Sequence, residues 1–260
     1  MAVLDLRRQA AREGLTLAGA PALTERDRLA AVATWRGRMV NEHISARVFA
    51  ALVPQMMAAE IDADRQAAVA AMIAEELRHA VLCAAAVHAL GGEAVADVPP
   101  LAPVPLHEDA EPLEALVRNV LSIACLSETV AVALIDAEWH STTPPELNAA
   151  LKTILADEVG HARFGWALLD ELEPRLDTAM RARLGDYLVA AFKHLVDHEL
   201  AHLPPRASPS PEAECVGVCD GNDARRLFFK TVNEVIVPGL EKRGLPGKAA
   251  WDTAAPMYRM

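Results

Sequence analysis

The chain has 260 residues, a net charge of −11 and 52% hydrophobic residues, of which few are aromatic. The acidic balance and the absence of any basic run disfavour nucleic-acid binding. The sequence contains no uninterrupted apolar stretch of 18 residues and no apolar secretion segment at its N-terminus. We therefore expect a cytoplasmic protein that does not bind a membrane.

The composition favours an all-α protein, because alanine and leucine dominate and strand-like alternation is almost absent. In chain order, the sequence predicts a short helix at 3–13, helices near 24–58, 62–90, 111–140, 145–172 and 175–203, and a last helical region near 223–241. The stretch 91–110 contains four prolines and can run the length of a bundle. The pattern predicts one domain over 1–260: two hairpins joined by one long crossover, with a four-helix core at about 24–172 and additional helices at about 175–241.

One short pattern, Glu-x-x-His, occurs twice on the predicted helices. It is found as Glu76-Leu77-Arg78-His79 and as Glu158-Val159-Gly160-His161. Residues three apart are neighbours on one helix face, so each pair directs two ligand-type side chains the same way. A single copy is usually part of a solvated face. Here each copy follows a helix that carries a lone glutamate, Glu42 in one case and Glu128 in the other.

The helix stripes that carry these six residues are otherwise apolar. Unpaired buried carboxylates are costly, so four of them facing one interior require cations between them. Four carboxylates and two imidazoles are the ligand set of a carboxylate-bridged di-iron or di-manganese site. The sequence therefore predicts a metal centre formed by Glu42, Glu76, His79, Glu128, Glu158 and His161.

These residues, together with Asp157 before Glu158, resemble the ferritin-like non-haem di-iron carboxylate proteins, in particular the oxidase and oxygenase branch. The resemblance covers roughly 24–172 and implies a ferritin-like four-helix bundle with one long crossover and extra C-terminal helices. It also implies which residues bind each ion. Glu42, Glu76 and His79 would bind one iron, Glu128, Glu158 and His161 would bind the other, and Glu76 and Glu158 would bridge the two.

The same resemblance implies a role for the acidic residues Glu75 and Asp157, which each precede a metal-binding glutamate. Each would hydrogen-bond the imidazole of the opposite pair and fix its tautomer. The alternative is that they are surface charges beside a ligand. A manganese pair or a mixed iron–manganese pair would use the same ligands.

We expect an apolar substrate pocket beside the metals, bounded by Met39, Ala46, Phe49, Cys83, Val132, Ile135 and Gly165. Gly165 has two interpretations, close helix packing or room for a substrate. Cys215 and Cys219 are interpreted as an incidental loop pair, with a redox pair or weak metal site as the alternative. The histidines at 194, 198 and 202 are interpreted as an exposed stripe, with a second metal site or a row of proton-carrying groups as the alternative.

The functional prediction is an O2-activating di-iron oxidase or oxygenase that contains two Fe ions. Its partners would be O2, a small organic substrate and an electron donor, and the protein would be a monomer or homodimer. The alternatives are an iron-handling ferroxidase whose substrate is Fe(II), and a rubrerythrin-like peroxidase. An iron store would require assembly into a hollow cage.

Overall fold

The computed structural model describes residues 2–18, 21–203, 205 and 208–256. Its main elements are α-helices, and the all-α prediction is confirmed. The bundle consists of α2 (Glu25–Ala58), α3 (Ala63–Ala89), a continuous helix over Pro112–Ser141, and α6 (Pro145–Leu172). Helices α2 and α3 form one hairpin, and the Pro112–Ser141 helix and α6 form the other.

Polar caps and prolines set the ends of the long helices, as their positions in the sequence suggest. The side chain of Thr24 accepts a hydrogen bond from the backbone N–H of Asp27 at the start of α2. Asp62 caps α3 in the same way. Pro145 occupies the first turn of α6, where its missing N–H leaves no hydrogen bond unmade.

The Pro112–Ser141 helix is interrupted by a π-helical segment. It comprises α4 (Pro112–Val120), the π-helical turns Leu121–Ser127 and α5 (Glu128–Ser141). The segment ends directly before Glu128. A π-helical turn holds more residues than an α-helical one, so it changes the direction in which later side chains point. The sequence pattern predicts a regular α-helix over this stretch, so the π-helical segment is a difference from the prediction.

The N-terminus differs from the prediction. Residues 3–13 were expected to form one helix, but Ala2–Asp5 is a strand, β1, and α1 covers only Arg7–Glu13. Strand β1 pairs antiparallel with β2 (Val95–Val98), which lies inside the crossover. Pairing with this distant strand, and not local propensity, therefore decides the conformation of the short segment.

The chain beyond the bundle is helical, as predicted, but it contains more pieces. A 3-10 turn at Glu173–Arg175 leads into α7 (Thr178–His202), and α8 (Pro211–Glu214) follows. Helices α9 (Gly221–Thr231) and α10 (Val237–Glu241) flank a second π-helical segment, Val232–Ile236, and α11 (Gly247–Ala254) was not expected. The predicted long loop 204–222 includes positions 204, 206 and 207, which lie outside the described residues.

Among the described residues, only the Pro112–Ser141 helix is long and apolar enough to cross a membrane by these two criteria. Half of its most apolar 18-residue window is buried inside the protein. Core helices often satisfy the same criteria, and this helix is packed against α6.

Two clusters of buried apolar side chains flank the middle of the bundle. One includes Phe49, Leu121 and Phe164, and extends to Phe192 and Trp251 of the C-terminal helices. The other is formed around Trp35, Met39 and Ile154. The six proposed ligands lie on the helices between these clusters, where little solvent reaches them.

Candidate metal centre

Four helices supply the six residues predicted to bind metal. Glu42 is on α2, Glu76 and His79 are on α3, Glu128 begins α5, and Glu158 and His161 are on α6. All six are buried, and the most exposed of them, Glu128, retains 7% of its accessible surface. The residues therefore face one interior, as the apolar stripes indicated.

The ligand-type atoms fall into two groups that share two residues. The first group is Glu42, Glu76, His79 and Glu158, and the second is Glu76, Glu128, Glu158 and His161. Within each group, one ligand atom from every residue lies within 4.8 Å of the others. Glu76 and Glu158 belong to both groups, so their carboxylates lie where they could bridge two cations.

Both histidines present the same ring nitrogen, Nδ1, to the carboxylates. His79 Nδ1 lies 3.3 Å from Glu42 Oε2 and 3.4 Å from Glu158 Oε1. His161 Nδ1 lies 3.2 Å from Glu76 Oε1 and 3.2 Å from Glu158 Oε2. Each imidazole thus reaches a carboxylate from its own helix hairpin and one from the opposite hairpin.

The other ring nitrogen of each histidine hydrogen-bonds to an acidic residue of the opposite helix. His79 Nε2 lies 2.9 Å from Asp157 Oδ2, and His161 Nε2 lies 2.8 Å from Glu75 Oε2. If Nε2–H donates to the carboxylate, the Nδ1 lone pair is directed into the cluster. Glu75 and Asp157 therefore contact the imidazoles of the opposite pairs, as the resemblance implied, although their side chains remain partly exposed.

The four carboxyl groups of the cluster share a space with little water, and this shifts their pKa values. Burial, together with the charges of Glu158 and Glu42, raises the pKa of Glu76 to about 8, against a hydrogen bond from His161. Burial and the neighbouring carboxylates raise the pKa of Glu128 well above its usual value. Burial would also raise the pKa of Glu158, but hydrogen bonds from His161 and His79 hold it below its usual range.

The histidines hold protons strongly when only protein groups surround them. Burial alone would lower the pKa of each imidazole. Hydrogen bonds to Glu158 and Glu42 instead raise the pKa of His79 to about 11. Those to Glu158 and Glu76 raise that of His161 to about 10. The carboxylates thus attract positive charge, which a proton or a metal ion can supply.

One buried atom of the cluster, Glu76 Oε2, lacks a hydrogen-bond partner among the described residues. A buried polar atom without a partner is costly, and a carboxylate oxygen is of the kind that binds a metal ion. Carboxylate oxygen and imidazole nitrogen together suit iron and manganese. Four carboxylates also balance the charge of two divalent ions. The residues present therefore fit a pair of such ions.

A large open cavity of about 2180 Å³ reaches the cluster from the side of α2 and α5. Its lining includes the carboxylate-bearing residues Glu42, Glu76, Glu128 and Glu158. Drug-sized pockets usually measure roughly 300–1,000 Å³, so the volume is ample for an organic molecule. The crossover residues 101–105 and the end of α7 also contribute to the wall.

The predicted pocket residues only partly coincide with this cavity. Phe49 and Ile135 line it, whereas five others do not: Met39, Ala46, Cys83, Val132 and Gly165. Met39 and Cys83 belong to the buried apolar cluster around Trp35. Ala131, Leu134, Ile135 and Glu138 line the cavity at helical spacing, so the stripe of α5 that faces it runs through Ala131 and not through Val132.

Gly165 is explained by helix packing. A Cβ atom at this position would lie 2.5 Å from Ala124 Cβ and 2.8 Å from the Ala124 carbonyl carbon. Ala124 belongs to the π-helical segment, so the glycine lets α6 approach that segment closely. The alternative, that Gly165 opens room for a substrate, is not supported.

The histidine row of α7 lies at the cavity, but His194, His198 and His202 are exposed. In the described part of the chain, these histidines do not belong to a cluster with metal-binding geometry. Cys215 and Cys219 are free cysteines. Their loop packs on α2, where Trp35 Nε1 donates a 2.8 Å hydrogen bond to the Val216 carbonyl.

The cavity also contains a charged pair that the sequence pattern did not predict, Arg38 of α2 and Glu138 of α5. Arg38 lies one turn before Glu42, so helical spacing from that ligand could have identified it. Glu138 lies ten residues after Glu128, and both residues line the cavity.

No family model matches the sequence, and no curated protein matches it. What the chain does must therefore be inferred from the fold and from the buried cluster. These establish a helical protein with an acidic and histidine cluster that could hold metal.

Proposed function

We propose that the cluster binds two iron ions and that the chain is an O2-activating oxidase or oxygenase of the ferritin-like di-iron type. The single observation that supports this most strongly is the sharing of Glu76 and Glu158 between two groups of ligand atoms. A mononuclear site needs no shared carboxylates. Two shared carboxylates at the centre of six ligands favour a bridged pair of ions.

Two ferrous ions held in this way would supply electrons to reduce O2 and so oxidise an organic substrate. The chain's own residues prepare the site for them. Asp157 and Glu75 fix the imidazole rings by hydrogen bonds to Nε2. Phe49 packs edge-on against His161, with ring centroids 5.3 Å apart, and keeps that side of the cluster apolar.

The cavity favours an organic substrate over Fe(II) as the substrate. It reaches the carboxylates directly, and apolar side chains such as Val48, Phe49 and Ile135 form part of its wall. A route for hydrated iron would instead favour a polar lining. Ferroxidase activity remains the second candidate in the test below.

The first experiment is metal analysis after anaerobic loading with Fe(II). We expect about two irons per chain, and Glu158→Ala should lose the pair because it removes a bridging carboxylate. Glu171→Gln is the matched control, since this exposed glutamate lies on the same helix and pairs with Arg65. One ion or none in the parent protein would refute the dinuclear site.

The second experiment separates an oxygenase from an iron store. Native sizing should give a monomer or homodimer, and exposure of the loaded protein to O2 should leave no mineral. Product analysis with an electron donor and candidate organic substrates then tests oxygenation directly. A hollow cage that accumulates many irons per chain would instead establish an iron-handling protein.

A further inference from the structure

The cavity contains a second polar feature besides the metal cluster, the ion pair between Arg38 and Glu138. Both side chains retain only 12% of their accessible surface. The Arg38 guanidinium lies over the Trp35 ring, with Cζ 4.8 Å from the ring centroid. The Cys219 thiol also lies beside the Glu138 carboxylate. The pair is therefore held from three sides while both residues line the cavity.

The guanidinium still has hydrogen atoms to donate. Its Nη2 donates to Glu138, but the buried Nη1 has no hydrogen-bond partner among the described residues. Arginine carries five N–H donors in a fixed plane, so Nη1 can bind an acceptor without disturbing the bond from Nη2. A buried donor that lacks an acceptor is energetically unfavourable, so a ligand that supplies an acceptor oxygen binds more tightly.

The position of the pair relates it to the metal cluster. Arg38 precedes Glu42 by one turn of α2, which is about 6 Å along the helix axis. Arg38 lines the same cavity as the carboxylate-bearing residues of the cluster, so a group bound at its guanidinium would lie in that cavity. The rest of the ligand would contact the apolar wall formed by residues such as Ile44, Val48 and Ile135.

Charge selects the kind of acceptor. The Arg38–Glu138 pair is already neutral, and Glu42 lies close by. The positive charge of Arg38 already balances Glu138. A carboxylate ligand at Nη1 would therefore add an unbalanced negative charge beside Glu138 and Glu42. A neutral oxygen, such as that of a ketone, aldehyde, ester or amide, satisfies Nη1 without this cost.

We infer that Arg38 Nη1 binds the carbonyl oxygen of a neutral, largely apolar substrate and so positions that substrate beside the metal cluster. Arg38 is a binding residue in this inference, and Glu138 keeps the site neutral. The inference rests on the proposed oxygenase function, since the bound molecule is a substrate only if the chain oxidises it. The binding chemistry itself does not depend on iron.

The test compares two probes of equal chain length, 2-octanone and octanoate, by calorimetric titration of the full chain without O2. The parent protein should bind 2-octanone at least about tenfold more tightly than octanoate. Bound 2-octanone should also show a carbonyl stretch shifted to lower frequency by the hydrogen bond. If 2-octanone does not bind up to its solubility limit, or if octanoate binds more tightly, the inference is wrong.

Two variants test the role of charge. Arg38→Met/Glu138→Gln removes both charges together, so no buried ion loses its partner. It should fold, but the affinity for 2-octanone should fall about tenfold and the infrared shift should vanish. Glu138→Gln leaves Arg38 unbalanced, so the preference should change towards octanoate.

An unchanged affinity and infrared shift in the double variant would overturn the inference, as would a crystal structure with only water at Nη1 and the ketone elsewhere. Metal content is measured on the same samples. Two irons without ketone preference would refute only the carbonyl site. Ketone preference without a dinuclear centre would refute the proposed function instead.

Discussion

Replacing Gly165 by alanine tests the close contact between α6 and the π-helical segment. The added Cβ would meet Ala124 Cβ at 2.5 Å and the Ala124 carbonyl carbon at 2.8 Å. The second contact is with backbone, which cannot rotate away. Overpacking costs about 1–3 kcal/mol, and a backbone contact places the cost near about 3 kcal/mol. Alanine recovers about 1 kcal/mol through its helix propensity, which leaves a net loss of about 2 kcal/mol.

Thermal and urea unfolding of the metal-free protein would measure this loss. For a chain of this size, it corresponds to a decrease in Tm of about 4–8 °C. Gly160→Ala is the control in the same helix, because a Cβ there has no neighbour within 4 Å. That variant should gain about 1 kcal/mol. Gly37→Ala on α2 meets equally open space and provides a second control away from the histidines.

Iron binding provides a second measurement on the same variant. Separation of α6 from the π-helical segment would move Glu158 and His161 relative to Glu128, so Gly165→Ala should bind iron more weakly than the controls. If Gly165→Ala is as stable as Gly160→Ala, then the two helices do not approach as closely as described, and the explanation of this glycine fails.

Further outcomes follow from the centre and its surroundings. Removal of the metals should lower the Tm at neutral pH, because bound ions stabilise only the folded state; equal melting curves would count against inward-facing ligands. Metal affinity should decrease as pH falls from 8 to 6, since His79 and His161 must lose protons to bind, and a titration at several pH values measures this. Asp157→Asn should weaken metal binding about 10–100-fold while leaving two ions per chain at saturation, as competition with a chelator would reveal. Burial raises the pKa of the half-buried Glu199 to about 7. Between pH 4.5 and 7 the folded protein therefore keeps a proton on Glu199 that the unfolded chain releases. The contribution of Glu199 to stability falls as pH rises through this range. Glu199→Gln should therefore be more stable than the parent at pH 8 and similar at pH 4, by urea unfolding.

The sequence carried enough information to predict the bundle and to bring the six charged residues into one place. The reason is physical: a glutamate or histidine on an apolar helix stripe must face the interior together with the stripe. Glu42 and Glu158 are clear cases, since their neighbours at helical spacing are buried. The predicted identity of the metals and the reaction remains a proposal.

The features that sequence reasoning missed depend on contacts distant in the chain. Strand β1 forms by pairing with Val95–Val98, and residues 2–5 contain no pattern that predicts this pairing. The π-helical segment has no residue signature, so a regular α-helix was predicted there. Ala131 instead of Val132 lines the cavity, because packing against the other helices decides which stripe of α5 faces it. The Arg38–Glu138 pair required knowing that α2 and α5 face the same cavity.

The crossed hydrogen bonds between α3 and α6 also determine how these two helices align along their length. On α3, Glu75 bonds His161, and His79, four residues after Glu75, bonds Asp157. On α6, Asp157 lies four residues before His161, so the two helices run antiparallel. Both facing surfaces contain alanine at several positions, and such small side chains alone would tolerate sliding. A slip of one residue would displace both hydrogen bonds by about 1.5 Å at once. Polar contacts therefore specify the alignment of a helix pair whose apolar surface would leave it undetermined.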